Sequence, residues 1–531
     1  MTAVVLAASI LVPLATNGAG VTIITHGFEL DSTYPAWVTA MADNMPNYFQ
    51  GRFPGMGSNC STYKLTMTNI NGAFYYFTPS RTNGSPPSAT ESGEIIIELD
   101  WSAISGDLFD SYASTYNVAL AVSQVLLATN SFPELNGHPA IEFPIHLVGH
   151  SRGGSLMSEI SFILGTNGIW TDHLTTLDPY PLNNDGNNDF PATIQDAPAR
   201  NTYSSVLFAD NYWQDLGAGT YSGDPDGEPV NGAYVRQLTD LSGGYGSGGD
   251  HSSVHLWYHG TVDLETPASD TGATITSIER AGWWTTAEAR GAAAGFYYSL
   301  IGGGNRMSLA EPAGAGTHPV VDGYNQWWDF GAGHSTNRTV LPANNGTWPN
   351  LIKFDVVGTN IVASGQAVAT KFYYQYGGLS KNVTAQFLFD SDFNPYNSNS
   401  TSIATIPISR TGTNSVSYIN TNLTTSNMPP GTYAIYGKIS DGIHTRYLYA
   451  PELVQIISSQ PPVLGIGKPT VGQIVVGVSG YVGQTIVLQS STDLHNWVAF
   501  ATNRLVSLSW NYTNQVSQNV SQQFYRALLG P

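Results

Sequence analysis

Ile145-His146-Leu147-Val148-Gly149-His150-Ser151-Arg152-Gly153-Gly154 is the stretch on which the reading of this chain turns. A short apolar run meets a serine set among glycines, and behind it Leu156, Ile160, Ile163 and Leu164 recur at i, i+4, i+7 and i+8, one face of a helix. The spacing predicts a buried strand, a tight turn with Ser151 at its tip, and a helix. Gly149, Gly153 and Gly154 are what such a turn demands. Without Cβ atoms the strand and helix can close on each other, and the serine is held in a strained conformation that exposes its hydroxyl. The strand before and the helix after separate this from an ordinary glycine turn, and they make Ser151 the candidate nucleophile.

Outward from the turn, residues 21–300 alternate short β-branched runs with helical ones, as a parallel sheet with crossover helices requires. Residues 21–25, 95–99, 145–148, 174–177 and 205–208 read as successive buried strands, and Val118, Val122, Val125 and Leu126 mark a helix between the second and third. The expected fold is an open α/β sheet of the α/β-hydrolase kind, mostly parallel. Such sheets bind ligands at the carboxyl ends of their strands, where His26, Asp100, Ser151, Asp178 and Asp210 are expected.

The pattern changes at Gly302-Gly303-Gly304, after which a glycine-, proline- and tryptophan-rich tail runs to residue 349. Residues 350–457 carry short alternating segments such as Thr432-Tyr433-Ala434-Ile435-Tyr436, expected to form an Ig-like β-sandwich. Ser458-Ser459-Gln460-Pro461-Pro462 reads as a linker, and residues 463–531 as a small all-β domain. The catalytic domain is thus expected over residues 20–349. Residues 1–19 contain the apolar run 3–14 followed by small and polar residues, the pattern of a signal peptide and of a secreted or cell-surface protein. No Lys or Arg precedes the run, so a buried first strand is the competing reading.

Lys and Arg number 19 against 38 Asp and Glu, a formal net charge of -19, which argues against nucleic acid or an anionic membrane as partner. Cys60 is the sole cysteine, so neither an internal disulfide nor a cysteine metal cluster is open to the chain. No segment is long and apolar enough for a transmembrane span. Only 11% of residues are charged, a balance that suits an exported β-rich protein.

A serine hydroxyl needs an imidazole within reach and a carboxylate behind that imidazole. In α/β-hydrolases the order is serine, acid, histidine. Asp178, in Leu177-Asp178-Pro179, is the favoured acid because Pro179 turns the chain away at the strand's end; Asp210, expected at the end of the next strand, competes. His251 follows the flexible run Gly243 to Asp250, which can hold an imidazole over the sheet edge, and it is the favoured base. His255 is the alternative, though it shares with His259 the apolar pattern of a packed helix. The oxyanion formed on attack needs two backbone N–H donors. Arg152, after the nucleophile, and Phe28, after the strand-ending His26-Gly27, are placed to supply them.

Together, Ile24-Thr25-His26-Gly27-Phe28, Leu99-Asp100-Trp101, Gly149-His150-Ser151-Arg152-Gly153, Leu177-Asp178-Pro179 and His251-Ser252-Ser253-Val254-His255 resemble the neutral lipase family of pancreatic and lipoprotein lipases, over residues 21–262. The resemblance implies Asp178 as acid, His251 as base and an oxyanion hole from Phe28 and Arg152. Departures are Arg152 where the family has leucine, the missing disulfides, and the absence of a clear lid helix; the polar passage 217–249 lacks the apolar face of a lipid-surface lid. The function expected is hydrolysis of small-molecule or lipid carboxylic esters through an acyl-enzyme. No cofactor is required. The family's structural calcium points to Asn183-Asn184-Asp185-Gly186-Asn187-Asn188-Asp189, and Asp390-Ser391-Asp392-Phe393-Asn394 is of similar composition; both also read as solvated turns. Alternatives are an acyltransferase with the same triad, or an inactive hydrolase fold that binds a surface. In the latter, the C-terminal β modules bind glycan or cell surface, and Trp283-Trp284 and Trp327-Trp328 are candidate sugar platforms.

Overall fold

A computed structural model of the 531-residue chain describes residues 20–52, 60–70, 73–76, 79–84, 93–106, 113–132, 135, 137–181, 196, 202–216, 225–230, 232–263, 270, 272–273, 275–283, 294–302, 338–341, 348–380, 382–413, 415–467, 472–516 and 521–530. The expected signal peptide, the 183–189 loop, Trp284 and Trp327-Trp328 lie outside the described residues.

In chain order the first elements are β1 (Val21–Thr25), α1 (Ala36–Arg52), β2 (Ser61–Ile70), β3 (Ala73–Tyr76), β4 (Ser80–Asn83), β5 (Ile95–Asp100), α2 (Ser102–Ser105), α3 (Thr115–Leu127), β6 (Ile145–His150), α4 (Arg152–Thr166), β7 (Thr171–Leu177), β8 (Val206–Trp213), β9 (Tyr234–Gln237), α5 (Asp250–Val262) and α6 (Ser277–Trp283). The nine strands make one sheet ordered β3-β2-β5-β1-β6-β7-β8-β9, with β4 on β2. All pairings are parallel except those of β2 with β3 and β4. β1, β5, β6, β7 and β8 are buried along their whole length, as strands covered on both faces must be. Ser114 caps α3 by accepting from the Asn117 N–H at 3.3 Å. Val118, Val122, Val125 and Leu126 of α3, with Leu156, Ile160, Ile163 and Leu164 of α4, form the buried faces that the periodicity predicts.

Register fixes what meets at the carboxyl rim. Thr25 stands opposite Gly149, and His150 opposite Leu177. The residues that follow, Gly27, Ser151 and Asp178, therefore leave the sheet side by side. β1 sits where the strand order changes direction, with β5 on one side and β6 on the other, so the crevice beyond β1 and β6 is the topological switch point.

Two expectations are corrected. β8 runs on to Trp213, which puts Asp210 mid-strand, because Asp210 is paired on both sides, with Thr175 of β7 and Tyr234 of β9. His251 does not ride on a loop: α5 begins at Asp250, so His251, His255 and His259 share one helix face at i, i+4 and i+8.

Beyond the sheet come β10 (Asn350–Val356), β11 (Ile361–Ala363), β12 (Ala367–Gln375), β13 (Thr384–Asp390), β14 (Thr401–Pro407), β15 (Ser417–Thr424), β16 (Gly431–Ser440), β17 (Thr445–Tyr449) and β18 (Val454–Ile457). They form a three-stranded sheet, β10-β12-β15, and a six-stranded one, β11-β18-β16-β13-β14 with β17 on β16. Phe387 of β13 packs on Phe354 of β10 and Phe372 of β12, at centroid distances of 5.5 and 5.1 Å, in sandwich-like fashion. Then β19 (Val463–Ile466), β20 (Gln473–Ser479), β21 (Thr485–Ser491), β22 (Val498–Arg504), β23 (Ser509–Gln515) and β24 (Phe524–Leu529) make two three-stranded sheets, β19-β20-β23 and β22-β21-β24. Their small core is Val476, Val478, Ile486, Leu488 and Leu505.

The chain divides into two compact units, Met1–Asp355 with Lys371–Asn420 and Ala434–Glu452, and Val356–Thr370 with Thr421–Tyr433 and Leu453–Pro531. Within the first unit Arg446 is buried and donates to Asn350 Oδ1 at 3.0 Å and to the Phe143 and Trp170 carbonyls at 3.3 Å. An apolar cluster of Trp170, Leu207 and Phe208 of β8, Tyr234 of β9, Tyr298, Ile352 of β10 and Tyr373 of β12 adds to it.

Candidate active site

Ser151 caps α4 at φ 56°, ψ -128°, a left-handed conformation that a non-glycine residue adopts only under constraint. The constraint is visible around it. Ser151 N–H donates to the Leu177 carbonyl at 2.9 Å, and its own carbonyl accepts from Gly154 N–H at 2.9 Å. A Cβ on Gly149 would lie 2.2 Å from the Gly153 carbonyl oxygen, and one on Gly153 would lie 2.4 Å from that of His26. A Cβ on Gly27 would lie 2.5 Å from Ser151 Cβ and 3.1 Å from Arg152 N. The three glycines thus let β1, β6 and α4 converge on the serine.

Asp178 leaves β7 at φ 44°, fully buried. Its Oδ1 accepts from Gln214 N–H at 2.8 Å, its Oδ2 from Gln214 Nε2 at 2.8 Å, and Oδ2 lies 2.7 Å from His251 Nδ1. Burial pushes the carboxyl above its ordinary value, and the bonds from His251 and Gln214 pull against that. A carboxylate only accepts, so Nδ1–H of His251 donates to Asp178. Gly227 backs the acid so closely that a Cβ there would lie 2.0 Å from Oδ1.

Ser151 and His251 line one cavity of about 390 Å³, together with Phe28, Glu29, Trp37 and Tyr245 among others. His150 lines it too, and its Nε2 donates to the His251 carbonyl at 2.9 Å, which ties the start of α5 to the end of β6. Burial first, then the neighbouring imidazoles, hold His150 well below the usual histidine range. His26 is fully buried, with Nδ1 3.0 Å from the Gly27 carbonyl oxygen and Nε2 3.4 Å from Trp101 N. Burial brings it down to about 4, against the pull of Asp100, so the ring is neutral and Nδ1–H donates to Gly27. That carbonyl belongs to the same planar peptide as the Phe28 N–H, so His26 sets the plane of the candidate oxyanion donor.

The other sequence candidates fall elsewhere. Asp210 is buried away from His251 and bonded to His173 Nε2 at 2.9 Å, Thr175 Oγ1 at 2.5 Å and Tyr212 OH at 3.0 Å. Asp100 ends β5 and pairs with Lys64 Nζ at 3.0 Å. The Arg152 side chain is fully buried and points away from the turn. It makes a two-pronged pair with Asp196 at 2.7 and 2.8 Å and donates to the Ser105 and Ala113 carbonyls at 2.7 and 2.6 Å. His255 lines the cavity but is paired with Asp270, not Asp178. Trp283 is buried, its Nε1 donating to the Ser242 carbonyl at 3.0 Å, and offers no sugar platform.

Sequence reasoning missed Gln214, Gly227, His150 and Asp196. Gln214, Gly227 and Asp196 lie in no motif, and His150 fills the variable position before Ser151; each acts by proximity that only the fold creates. As for metal, among the described residues no group of three or more His, Cys, Asp or Glu is gathered to hold an ion. In the 390–394 turn, Asp390 Oδ2 accepts from Tyr449 OH, and Asp392 from Asn394 N–H, Asn397 and Asn399. Those oxygens are engaged by the turn and by Tyr449 of β17.

No protein-family model and no curated protein matches the chain. Solved structures similar to parts of it include the C-terminal domain of Wzt, at 11% identity over 22% of this chain and 76% of that one, with a TM-score of 0.16. A CARDB domain from Pyrococcus furiosus matches at 10% identity over 21% and 96%, with a TM-score of 0.15. A cytokine receptor complex matches at 10% identity over 33% and 88%, with a TM-score of 0.16. Likenesses this slight carry no argument, and the reading of the site stands on its geometry.

Proposed function

We propose that the chain is a serine hydrolase of the α/β-hydrolase kind that cleaves carboxylic esters. The observation that carries this reading is the His251–Asp178 pair, 2.7 Å apart, with its imidazole lining the same cavity as a serine held at a strained strand-to-helix turn. In this reading Ser151 attacks the ester carbonyl while His251 Nε2 takes the hydroxyl proton. The buried Asp178 holds the imidazole in the tautomer with Nδ1–H and stabilises the imidazolium. The Phe28 and Arg152 N–H groups receive the oxyanion. His251 returns the proton to the departing alcohol, and a water molecule, activated the same way, frees the acid from the serine.

The test is labelling with a fluorophosphonate and hydrolysis of p-nitrophenyl butyrate by the full chain. Both are expected in the native protein and neither in Ser151→Ala. Undiminished hydrolysis by that variant, or an inert native chain, would refute the reading.

A further inference from the structure

One helical turn beyond His251, His255 faces the same cavity while only 2% exposed. Its Nδ1 lies 3.2 Å from Asp270 Oδ2, and Asp270 Oδ1 lies 3.2 Å from His259 Nδ1. Burial raises the Asp270 carboxyl, but the two imidazoles outweigh it and bring it down to about 2, so it is a carboxylate and can only accept. Nδ1 of His255 therefore holds the ring proton and Nε2 the lone pair.

The ring cannot turn to hide that lone pair. It is stacked on Trp37 at a centroid distance of 4.1 Å and 13°, with His150 and Tyr245 edge-on at 4.9 and 5.2 Å. Among the described residues Nε2 has no hydrogen-bond partner, yet it is not one of the sealed, partnerless atoms of the interior. Burial keeps the imidazole below its ordinary range, hence neutral. A fixed, neutral acceptor in a cleft calls for a neutral donor from the ligand, since an unmet buried acceptor is costly. An alkyl group placed there would leave it unmet.

Resting on the reading of Ser151 as an esterase nucleophile, we infer that His255 Nε2 accepts a hydrogen bond from a hydroxyl on the substrate and makes the cavity selective for hydroxylated esters over plain alkyl esters. The hydroxyl can sit on the acyl or on the alcohol side, and the chemistry of recognition is the same. His255 is thus a specificity residue, while His251 is the base.

Two matched pairs test this on the full chain: p-nitrophenyl 3-hydroxybutyrate against p-nitrophenyl butyrate, and glyceryl monobutyrate against propyl butyrate. The native protein is expected to favour the hydroxylated member of at least one pair by about tenfold in kcat/KM, and the pair concerned identifies the side. In His255→Phe, which keeps a ring on Trp37, the preference should collapse toward one. In His255→Gln, whose amide oxygen accepts, part of it should return. Each ratio is taken within one protein, so a loss of folded fraction cancels. Equal kcat/KM within both native pairs, or a preference that survives in both variants, overturns the inference. Calorimetric titration of Ser151→Ala with glyceryl monobutyrate and methyl 3-hydroxybutyrate, against propyl and methyl butyrate, decides the subsite even if no ester is hydrolysed. Tighter binding of the hydroxylated ligand that is lost when His255→Phe is added keeps the subsite; equal binding ends it.

Discussion

Two aspartates were open as the acid, and the difference between them lies in a few ångströms of side-chain environment. Asp178 meets His251 and a glutamine that satisfies both its oxygens; Asp210 spends its oxygens on a histidine, a threonine and a tyrosine within the sheet. Asp178→Asn is therefore expected to lower kcat about ten-thousandfold with KM little changed, because an amide favours the wrong imidazole tautomer. Asp210→Asn should instead lower the denaturant midpoint and leave kcat near native. Steady-state kinetics and urea unfolding on both variants check the pair, and a reversed pattern would move the acid to Asp210. His26 makes a second case at this scale. Since it fixes the peptide that carries the Phe28 N–H, His26→Ala should slow kcat by up to about a hundredfold, part of what losing an oxyanion donor costs, again with KM near native. A variant whose loss lies wholly in KM would show that the histidine shapes binding and not the oxyanion donor.

Elements carry the rest of the site, and they show why some of it was legible beforehand. The strand, turn and helix around Ser151 could be read because local pattern and glycine placement agree with the final fold. β2 could not be read from apolar runs: Tyr63, Leu65 and Met67 are buried while Lys64 and Thr66 are half-buried, so it alternates where the central strands are continuous. Asp210 was misplaced because an aspartate in a strand reads as its end, and only the neighbours His173, Thr175 and Tyr212 make it tolerable inside. Arg152 stood out as a departure from the lipase pattern without a cause; the cause is Asp196, 44 residues away in sequence. This buried pair anchors the first turn of α4, next to Ser151. Asp196→Ala leaves a guanidinium in the interior without its counter-charge, which typically costs about 3–5 kcal/mol. The expected outcome is a fall of that size in unfolding free energy by urea denaturation. A loss under about 1 kcal/mol would mean that the Ser105 and Ala113 carbonyls suffice to hold the arginine.

For the whole molecule, buried and half-buried titratable groups set opposing slopes of stability against pH. Glu29, Glu94, Glu159 and Asp390 are held up, chiefly by burial, at about 8, 7, 7 and 7. The folded chain therefore keeps protons that the unfolded chain releases above its ordinary carboxyl values near 4. Their stabilisation is complete below those values and is lost as pH climbs toward 7 to 8. His26, at about 4, and His150 and His255, also lowered by burial, act the other way. The unfolded chain takes up protons on them below about 6.5, so their contribution is present at neutral pH and lost on acidification. The two sets oppose each other below about 6.5, and above it only the acids still titrate. A net charge of -19 at pH 7 adds self-repulsion in the same direction. The melting temperature is thus expected to fall from about pH 6.5 through pH 8. Glu94→Gln, which removes a fully buried titrating group bonded to Gly20 N–H and Thr22 Oγ1, should flatten that descent. A midpoint that stays level or rises from pH 6.5 to 8, measured by circular dichroism, would mean that these carboxyls are already ionised inside the folded chain and that burial does not govern them.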